Sequence, residues 1–514
     1  MSAPVLNPPP TATGAPVVPS WLARSPDVHH QAVARAARPD FEDWVSHVKG
    51  ASGCARPIRL AGTMATIEAE TGRLLASLDT DRLPDGVIYK PCGNRRAVVC
   101  PSCSERYKRD AYQLVRAGLV GGKGVPEHVA GHPAAFPTLT APSFGEVHTR
   151  VVKRHTCGKR LRCDCRAEPC HARRDAPVCP HGRRLVCFAR HEETDRVLGT
   201  PLCLDCYDYP GQVVWNASAG ELWRRTTIAV NRWLRRLSKA RGVPWVWVER
   251  GGKEKLVPPF RLSYGKCAEM QRRGVVHYHA IMRLDGVHFD DPRAVVPPPT
   301  GLTAVDLVDA VEHAAATVGF HTDAHPARPE GWAITWGEHN LTKVITTGAD
   351  GELTDGMVAA YLAKYATKST EVTGHVSGRL TSESVDLYAD PDGDHTARLI
   401  DACWTLGRAP DWDGLRRWAH MLGFGGHFLT KSPSYSVTFR LLRDNRVVFR
   451  RTQNTGPETS AGVAEQPTTL VVNFLQFVGA GWHTTADAML ANTSAAMARE
   501  HHEAALADLA ALAA

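Results

Sequence analysis

The 514-residue chain lacks three features that would have placed it quickly. No stretch approaches the twenty or so consecutive apolar residues that cross a bilayer as a helix, which excludes a helical membrane protein. Met1 to Ser20 is rich in Pro, Ala and Thr, with no basic segment leading into an apolar core. It does not read as a secretory signal, so the chain is expected to be cytoplasmic. No Gly-x4-Gly-Lys-Ser/Thr loop is present, so no P-loop ATPase is visible. Charge of one sign is also in small excess only. Lys and Arg number 61 against 53 Asp and Glu, a net charge of +8 that suits nucleic acid without requiring it. What is present is a 43% hydrophobic fraction, enough for sizeable cores, over a length suited to roughly three domains.

Cysteine is not scarce: there are 14. In a reducing compartment they read as metal ligands before disulfides. Cys100-Pro101-Ser102-Cys103 opens into a helical run, a layout that aims two sulfurs at one point. Cys203-Leu204-Asp205-Cys206 is a second such pair, and two in one chain are a strong zinc signal. A tetrahedral structural site needs four ligands. Cys179, Cys187, Cys203 and Cys206 are expected to form one, and Cys92, Cys100 and Cys103 to anchor another with an unnamed fourth. Cys157, Cys163, Cys165 and Cys170 form either a third cluster or a loop.

The stretch Gly274 to Met282, Gly-Val-Val-His-Tyr-His-Ala-Ile-Met, has strand composition. Side chains alternate along a strand, so His277 and His279 share a face. If Arg272-Arg273-Gly274 is a three-residue hairpin loop, Gln271 faces Val275 and Glu269 faces His277. Two imidazoles and a carboxylate suit Mg²⁺ or Mn²⁺. Further on, Asp355 is a suitable N-cap for a helix carrying Tyr361, Lys364, Tyr365 and Lys368. Tyr361 and Tyr365 lie four apart and share a face, with the two lysines alongside. Two phenols beside two ammonium groups suggest nucleophiles awaiting a phosphate.

Strands are also expected at Phe136–Thr140 and at Trp332–Thr347 with a polar interruption. Helices are expected at Ser218–Arg241, rich in arginine, and at Leu302–Gly319 with Asp306 and Glu312 outward. The core order is then strand, helix, strand, strand, helix, strand, helix. This is α+β, a mainly antiparallel sheet with helices on one face. Residues 1–38 read as a disordered lead and 39–135 as an N-terminal region with a zinc knuckle. Residues 136–370 form the core, with a cysteine-rich insertion at 150–207. Residues 371–514 are a C-terminal accessory region. In it, Trp412–Leu422 reads as a helix, Asp444-Asn445 as a hairpin turn between Val437–Leu442 and Val447–Arg451, and Ala486–Ala514 as a helical tail. A helix followed by an arginine-bearing hairpin could be a winged DNA-binding module.

His277-Tyr278-His279, the later Tyr361-Leu362-Ala363-Lys364-Tyr365 and the early strand Phe136-Pro137-Thr138-Leu139-Thr140 occur together in one order. That set resembles the HUH endonucleases, specifically the two-tyrosine rolling-circle initiators and, among them, RepSA-like initiators of actinobacterial plasmids and integrative elements. The resemblance runs from about Cys92 to Phe439. It implies a sheet like that of RNA-recognition motifs and a catalytic Mg²⁺ or Mn²⁺ on His277, His279 and Glu269. It further implies nicking of single-stranded origin DNA through a 5′-phosphotyrosine on Tyr365, with Tyr361 as second nucleophile. Host helicase and replication proteins are expected partners, since none is encoded in the chain. A two-tyrosine HUH transposase shares these motifs and differs in its DNA. A non-catalytic zinc DNA-binding regulator predicts no metal-dependent cleavage.

Overall fold

Val276–Gly286 is buried at nearly every position, so its sequence shows a continuous apolar run broken by His, Arg and Asp. It is the middle strand of a five-stranded sheet in a computed structural model. The structure describes residues 26–152, 167–173, 175–249, 251–291, 293–346, 354–367, 378–454 and 469–512. In chain order it begins with α1 (Pro26–Ala36), α2 (Phe41–Val48), β1 (Ile58–Glu68), β2 (Leu74–Asp79), β3 (Ile88–Lys90) and α3 (Pro101–Val120). Next come β4 (Ala134–Leu139), α4 (Tyr209–Ala240), β5 (Val246–Glu249), β6 (Glu254–Val257), β7 (Phe260–Met270), β8 (Val276–Gly286) and α5 (Ala304–Thr317). Then follow β9 (Gly319–His321), β10 (Ala333–Thr335), β11 (Leu341–Val344), α6 (Asp355–Tyr365), α7 (His395–Leu406) and α8 (Asp413–Arg417). The last are β12 (Leu429–Lys431), α9 (Phe439–Asn454), β13 (Thr469–Ala480) and α10 (Thr485–Leu512).

The fold is α+β, and the chain forms two compact units. One is Ala111–Phe439; the other joins Met1–Asp110 to Arg440–Ala514. These limits do not coincide with the compositional boundaries at 39, 136 and 371.

In the larger unit the strand order is β11-β4-β8-β7-β12, antiparallel throughout. One face carries Leu139, Tyr278, Ala280, Met282 and Ala268 into a core shared with Leu222, Trp223, Val230 and Leu234 of α4 and Leu307 and Val311 of α5. Asp208 starts α4 by accepting from the Gly211 N–H at 2.8 Å. Deeper in that helix, buried Asn216 donates to the Gly274 and Leu422 carbonyls at 2.9 and 2.8 Å and accepts from the Val276 N–H at 3.0 Å. Such a side chain is fully satisfied, and removing it leaves three backbone groups unpaired, each costing about 1–3 kcal/mol. The turn of the β7–β8 hairpin is thus fixed from below. Its Gly274 adopts φ +76°, as a three-residue loop requires.

Several expectations are corrected here. α6 packs on the face opposite α4, so the helices do not all cover one face: Trp223 of α4 meets Tyr278, whereas Tyr361 of α6 meets the alternate residue His279. Asp306 points inward and is 5% exposed, because it completes a capping box with Thr303 and pairs with Arg241 at 2.7 Å. The Trp332–Thr347 segment is two strands in different sheets. Between them Asn340 accepts from the Thr140 N–H at 2.9 Å and donates to the Gly337 carbonyl at 2.6 Å, which ends one strand before the next begins. Trp412–Leu422 breaks into short turns, with Leu422 left-handed at φ 53°.

In the smaller unit β1 lies between β13 and β2, paired with β13 from Ile58↔Ala480 to Glu68↔Thr469. Trp44, Val48, Val87, Tyr89 and Ala491 pack into its core. Arg35 bonds Asp85 at 2.7 Å and Asp487 at 2.9 Å, all three nearly buried. Part of the expected disordered lead is therefore ordered as α1. Asp444 and Asn445 lie mid-helix in α9 and not in a hairpin, so no winged module forms there. Both are exposed, and Arg440 four residues earlier reaches Asp444 at 3.7 Å.

Candidate active site

The β7–β8 register pairs Glu269 with His277 and Cys267 with His279, as the three-residue turn requires. His277 and His279 share a face, with ring centroids 4.4 Å apart. The Glu269 carboxylate reaches diagonally across the ladder: its Oε2 lies 3.1 Å from Nε2 of His279. Thr138 of β4 meets the other nitrogen, Nδ1, at 3.1 Å, and Phe136 stacks on the same ring at 5.9 Å. His277 is held differently. Gln271 Nε2 lies 2.8 Å from its Nδ1, while Gln271 Oε1 accepts from Arg273 at 3.0 Å. The remaining nitrogen, His277 Nε2, is buried with no partner.

Removal from water holds both imidazoles down at about 3, and for His277 the adjacent His279 adds to it. Neutral rings keep a lone pair for a cation. Two such rings, one of them with an orphaned nitrogen, and a carboxylate fit a divalent ion. The fit is of donor chemistry: His277, His279 and Glu269 are not among the described groups whose donor atoms all lie within 4.8 Å of one another.

α6 brings both phenols to this face. Thr354, not Asp355, is its N-cap, accepting from the Met357 N–H at 3.4 Å, and Asp355 instead pairs with Arg116 of α3 at 3.3 Å. Tyr361 Oη lies 3.3 Å from His279 Nε2. The Tyr361 and Tyr365 rings are 4.5 Å apart, and Tyr365 is 5.7 Å from the His279 ring. Burial first raises both phenols above their ordinary value; Tyr365 adds to it for Tyr361, and Glu269 for Tyr365. Lys364 is exposed, its Nζ 5.7 Å from the centre of the Tyr365 ring. Lys368 lies outside the described residues.

Among the described residues, nine cysteines and three histidines gather into three groups, each with all four donor atoms within 4.8 Å of one another. The ligand missing beside Cys92, Cys100 and Cys103 is Cys54, whose sulfur is 3.9 Å from that of Cys100. The thiol of Cys54, with the Ala55 and Cys103 backbone N–H groups, draws Cys100 down to about 4. Cys179, Cys203 and Cys206 are joined by His181 and not by Cys187. His181 Nδ1 is 3.1 Å from Cys206 Sγ, and Cys179 and Cys203 sulfurs are 3.7 Å apart. Cys187 belongs with His148, Cys170 and His191. Cys157, Cys163 and Cys165 lie outside the described residues. Cys54 and the three histidines are not assigned as ligands by sequence because none sits in a Cys-x-x-Cys pair, although His181 and His191 lie within the cysteine-rich segment. The nearest signal was His181, two residues after Cys179.

Comparison with known proteins places the chain among replication initiators. More narrowly it belongs to the RepSA family, whose model, described as replication initiator protein of pSAM2, matches residues 40–496. A curated replication initiator protein of Streptomyces ambofaciens is 37% identical over 466 residues, covering 90% of this chain and 91% of that protein. No solved structure matches. Among the described residues no helix is long and apolar enough to cross a membrane.

Proposed function

We propose that this replication initiator is a metal-dependent, sequence-specific endonuclease and ligase for single-stranded origin DNA, starting rolling-circle replication through a 5′-phosphotyrosine. The observation that carries the reading is the convergence of the Tyr361 and Tyr365 rings on His279, at 4.8 and 5.7 Å, from a helix distant in sequence. His277, His279 and Glu269 would hold Mg²⁺ or Mn²⁺, which when bound polarises the scissile phosphate. Thr138 and Gln271 orient the two imidazoles from behind.

Tyr365 Oη forms a bond to phosphorus as the bond to the DNA 3′-oxygen breaks. In net terms the phenolic proton ends on that oxygen, giving a free 3′-OH. The ester conserves the bond energy, so rejoining needs no nucleotide. Tyr361, one helical turn away, can accept a second strand while Tyr365 is occupied. Lys364, and Lys368 beyond it, supply positive charge for phenolate or phosphate. Structural Zn²⁺ belongs on Cys54, Cys92, Cys100 and Cys103, and on Cys179, His181, Cys203 and Cys206. Unwinding falls to a host helicase.

The test is incubation with single-stranded oligonucleotides scanning the origin, with and without Mn²⁺. A denaturation-resistant protein–DNA adduct should form only with the ion, and peptide mapping should place the DNA on α6. Attachment to a residue outside α6 overturns the nucleophile assignment, and no adduct on any oligonucleotide overturns the activity.

A further inference from the structure

The group His148, Cys170, Cys187 and His191 joins two cysteines that the sequence assigned to different clusters with two histidines that it did not assign. Cys170 Sγ is 3.8 Å from His148 Nδ1, and Cys187 Sγ is 3.5 Å from His191 Nε2. Bond lengths of Zn–S and Zn–N in a tetrahedron give ligand–ligand edges of roughly 3.3–3.8 Å. The two imidazoles stand edge to face, centroids 5.2 Å apart, as two corners of such a site permit.

Two further contacts match what a metal ligand needs. The second ring nitrogen of His191, Nδ1, lies 2.7 Å from Asp195 Oδ2. A carboxylate there fixes the proton on Nδ1 and frees Nε2, the atom that faces Cys187. The Cys170 sulfur lies 3.1 Å from the Thr149 backbone nitrogen and 3.0 Å from His171 Nδ1, contacts that fix its position beside His148. The backbone pins Cys187 beside Cys170: His171 donates to the Cys187 carbonyl at 2.7 Å, and Cys187 returns the bond at 3.1 Å.

The same loop grips the hairpin of the proposed nicking site. The Asp195 carbonyl accepts from Arg272 at 2.9 Å, and the Glu193 carbonyl accepts from the same guanidinium. Gly199 lies so close to the turn that a Cβ on it would sit 2.7 Å from the Arg272 backbone. Arg272 is next to Gln271, which holds His277.

We propose that His148, Cys170, Cys187 and His191 hold a Zn²⁺ ion that shapes the 191–199 loop into a brace for the β7–β8 turn and so positions His277. The metal site stands on its own geometry; the positioning role rests on the nicking reading above. His148 and His191 are then ligands, and Arg272 is a positioning residue.

The test uses the full chain, purified reduced. Elemental analysis should find three zinc ions per chain, one for each four-donor group. His191→Ala should lose one of them, and His191→Cys, which keeps a donor, should retain all three. Co²⁺ replacement should give thiolate charge-transfer bands that weaken in His191→Ala. On a single-stranded oligonucleotide with Mn²⁺, His191→Ala should form adduct at least about tenfold more slowly with unchanged oligonucleotide affinity, the range seen when a metal's supporting shell is removed. His191→Cys should recover the rate. Arg272→Ala, which leaves the ligands intact, should keep three zinc ions yet show the slower adduct formation. Unchanged zinc content in His191→Ala overturns the site. Normal adduct rates in both His191→Ala and Arg272→Ala overturn the brace. Wild-type protein with three zinc ions and no adduct refutes the nicking reading, and the brace with it, while the metal count still establishes the site.

Discussion

Single residues carry the sharpest expectations. Losing an outer support of a metal ligand costs about 10–100-fold, so His277→Ala or His279→Ala should exceed that loss in adduct formation while leaving zinc content unchanged. Full cleavage by either variant in chelator-treated buffer would refute the metal assignment. The two phenols should fail differently. Tyr365→Phe should lose initial nicking, whereas Tyr361→Phe should nick yet fail to close product circles, leaving single-stranded multimers. Adduct mainly on Tyr361 would reverse the two roles. In the smaller unit, burial works to raise the Asp85 carboxyl, but bonds from Arg35, Trp44 and Tyr89 outweigh it and hold it below its ordinary 3.8. A depressed carboxylate stabilises the fold above the unfolded value and ceases to as pH falls through the folded one. The Trp44 environment should therefore be lost on acidification below about pH 4, and Asp85→Asn should abolish that step in a fluorescence titration. Strand period and helical spacing put His277 on one face with His279, opposite Glu269, and Tyr361 on one face with Tyr365; that the two sets would meet was implied only by the resemblance to HUH endonucleases. The partners Cys54, His148 and His191 were not, because a ligand set closes through tertiary proximity that no spacing encodes.

At the scale of elements, the hairpin joining β7 and β8 is the part most exposed to a small change. Gly274 has φ +76°, and a Cβ there would meet Leu422 Cδ1 at 2.7 Å and Leu399 Cδ1 at 2.9 Å. Gly274→Ala should destabilise the larger unit by about 1–3 kcal/mol through backbone strain alone, with crowding added, and a calorimetric scan would measure it. An unchanged melting temperature would show that the turn relaxes freely. This hairpin could be read from sequence because Gly-terminated turn and alternating strand agreed. α9 could not, since Asp444-Asn445 is a turn dipeptide of low helix propensity that the helix tolerates because both residues are exposed and Arg440 reaches Asp444. The split between β10 and β11 was hidden for another reason: Gly337 to Asn340 reads as a polar interruption within one strand, and it is tertiary bonds from this stretch to Thr140 that separate the two.

At the scale of the molecule, the accessory C-terminal region expected from sequence is divided. Residues up to Phe439 complete the larger unit, and Arg440–Ala514 belongs with the N-terminal residues. Ending the chain after Asn454 would remove β13 and α10, stripping β1 of an eleven-residue ladder and Arg35 of Asp487. Breaking a buried pair of this kind costs about 3–5 kcal/mol. The truncated protein should lose amide-exchange protection in Ile58–Glu68 and keep it in Val276–Gly286, which hydrogen exchange would resolve. Protection retained in β1 would mean that its pairing with β2 and β3 suffices. The same pairing sets a clock on synthesis. Thr63 waits for Phe474 to be made before the two can pair. At ribosomal speeds of about 5–20 residues per second that delay is roughly 20–80 seconds. The hairpin bearing His277 and the helix bearing Tyr361 leave the ribosome well before then, so a nascent chain can assemble the proposed nicking site while the unit that joins its two ends is still waiting for its last strand.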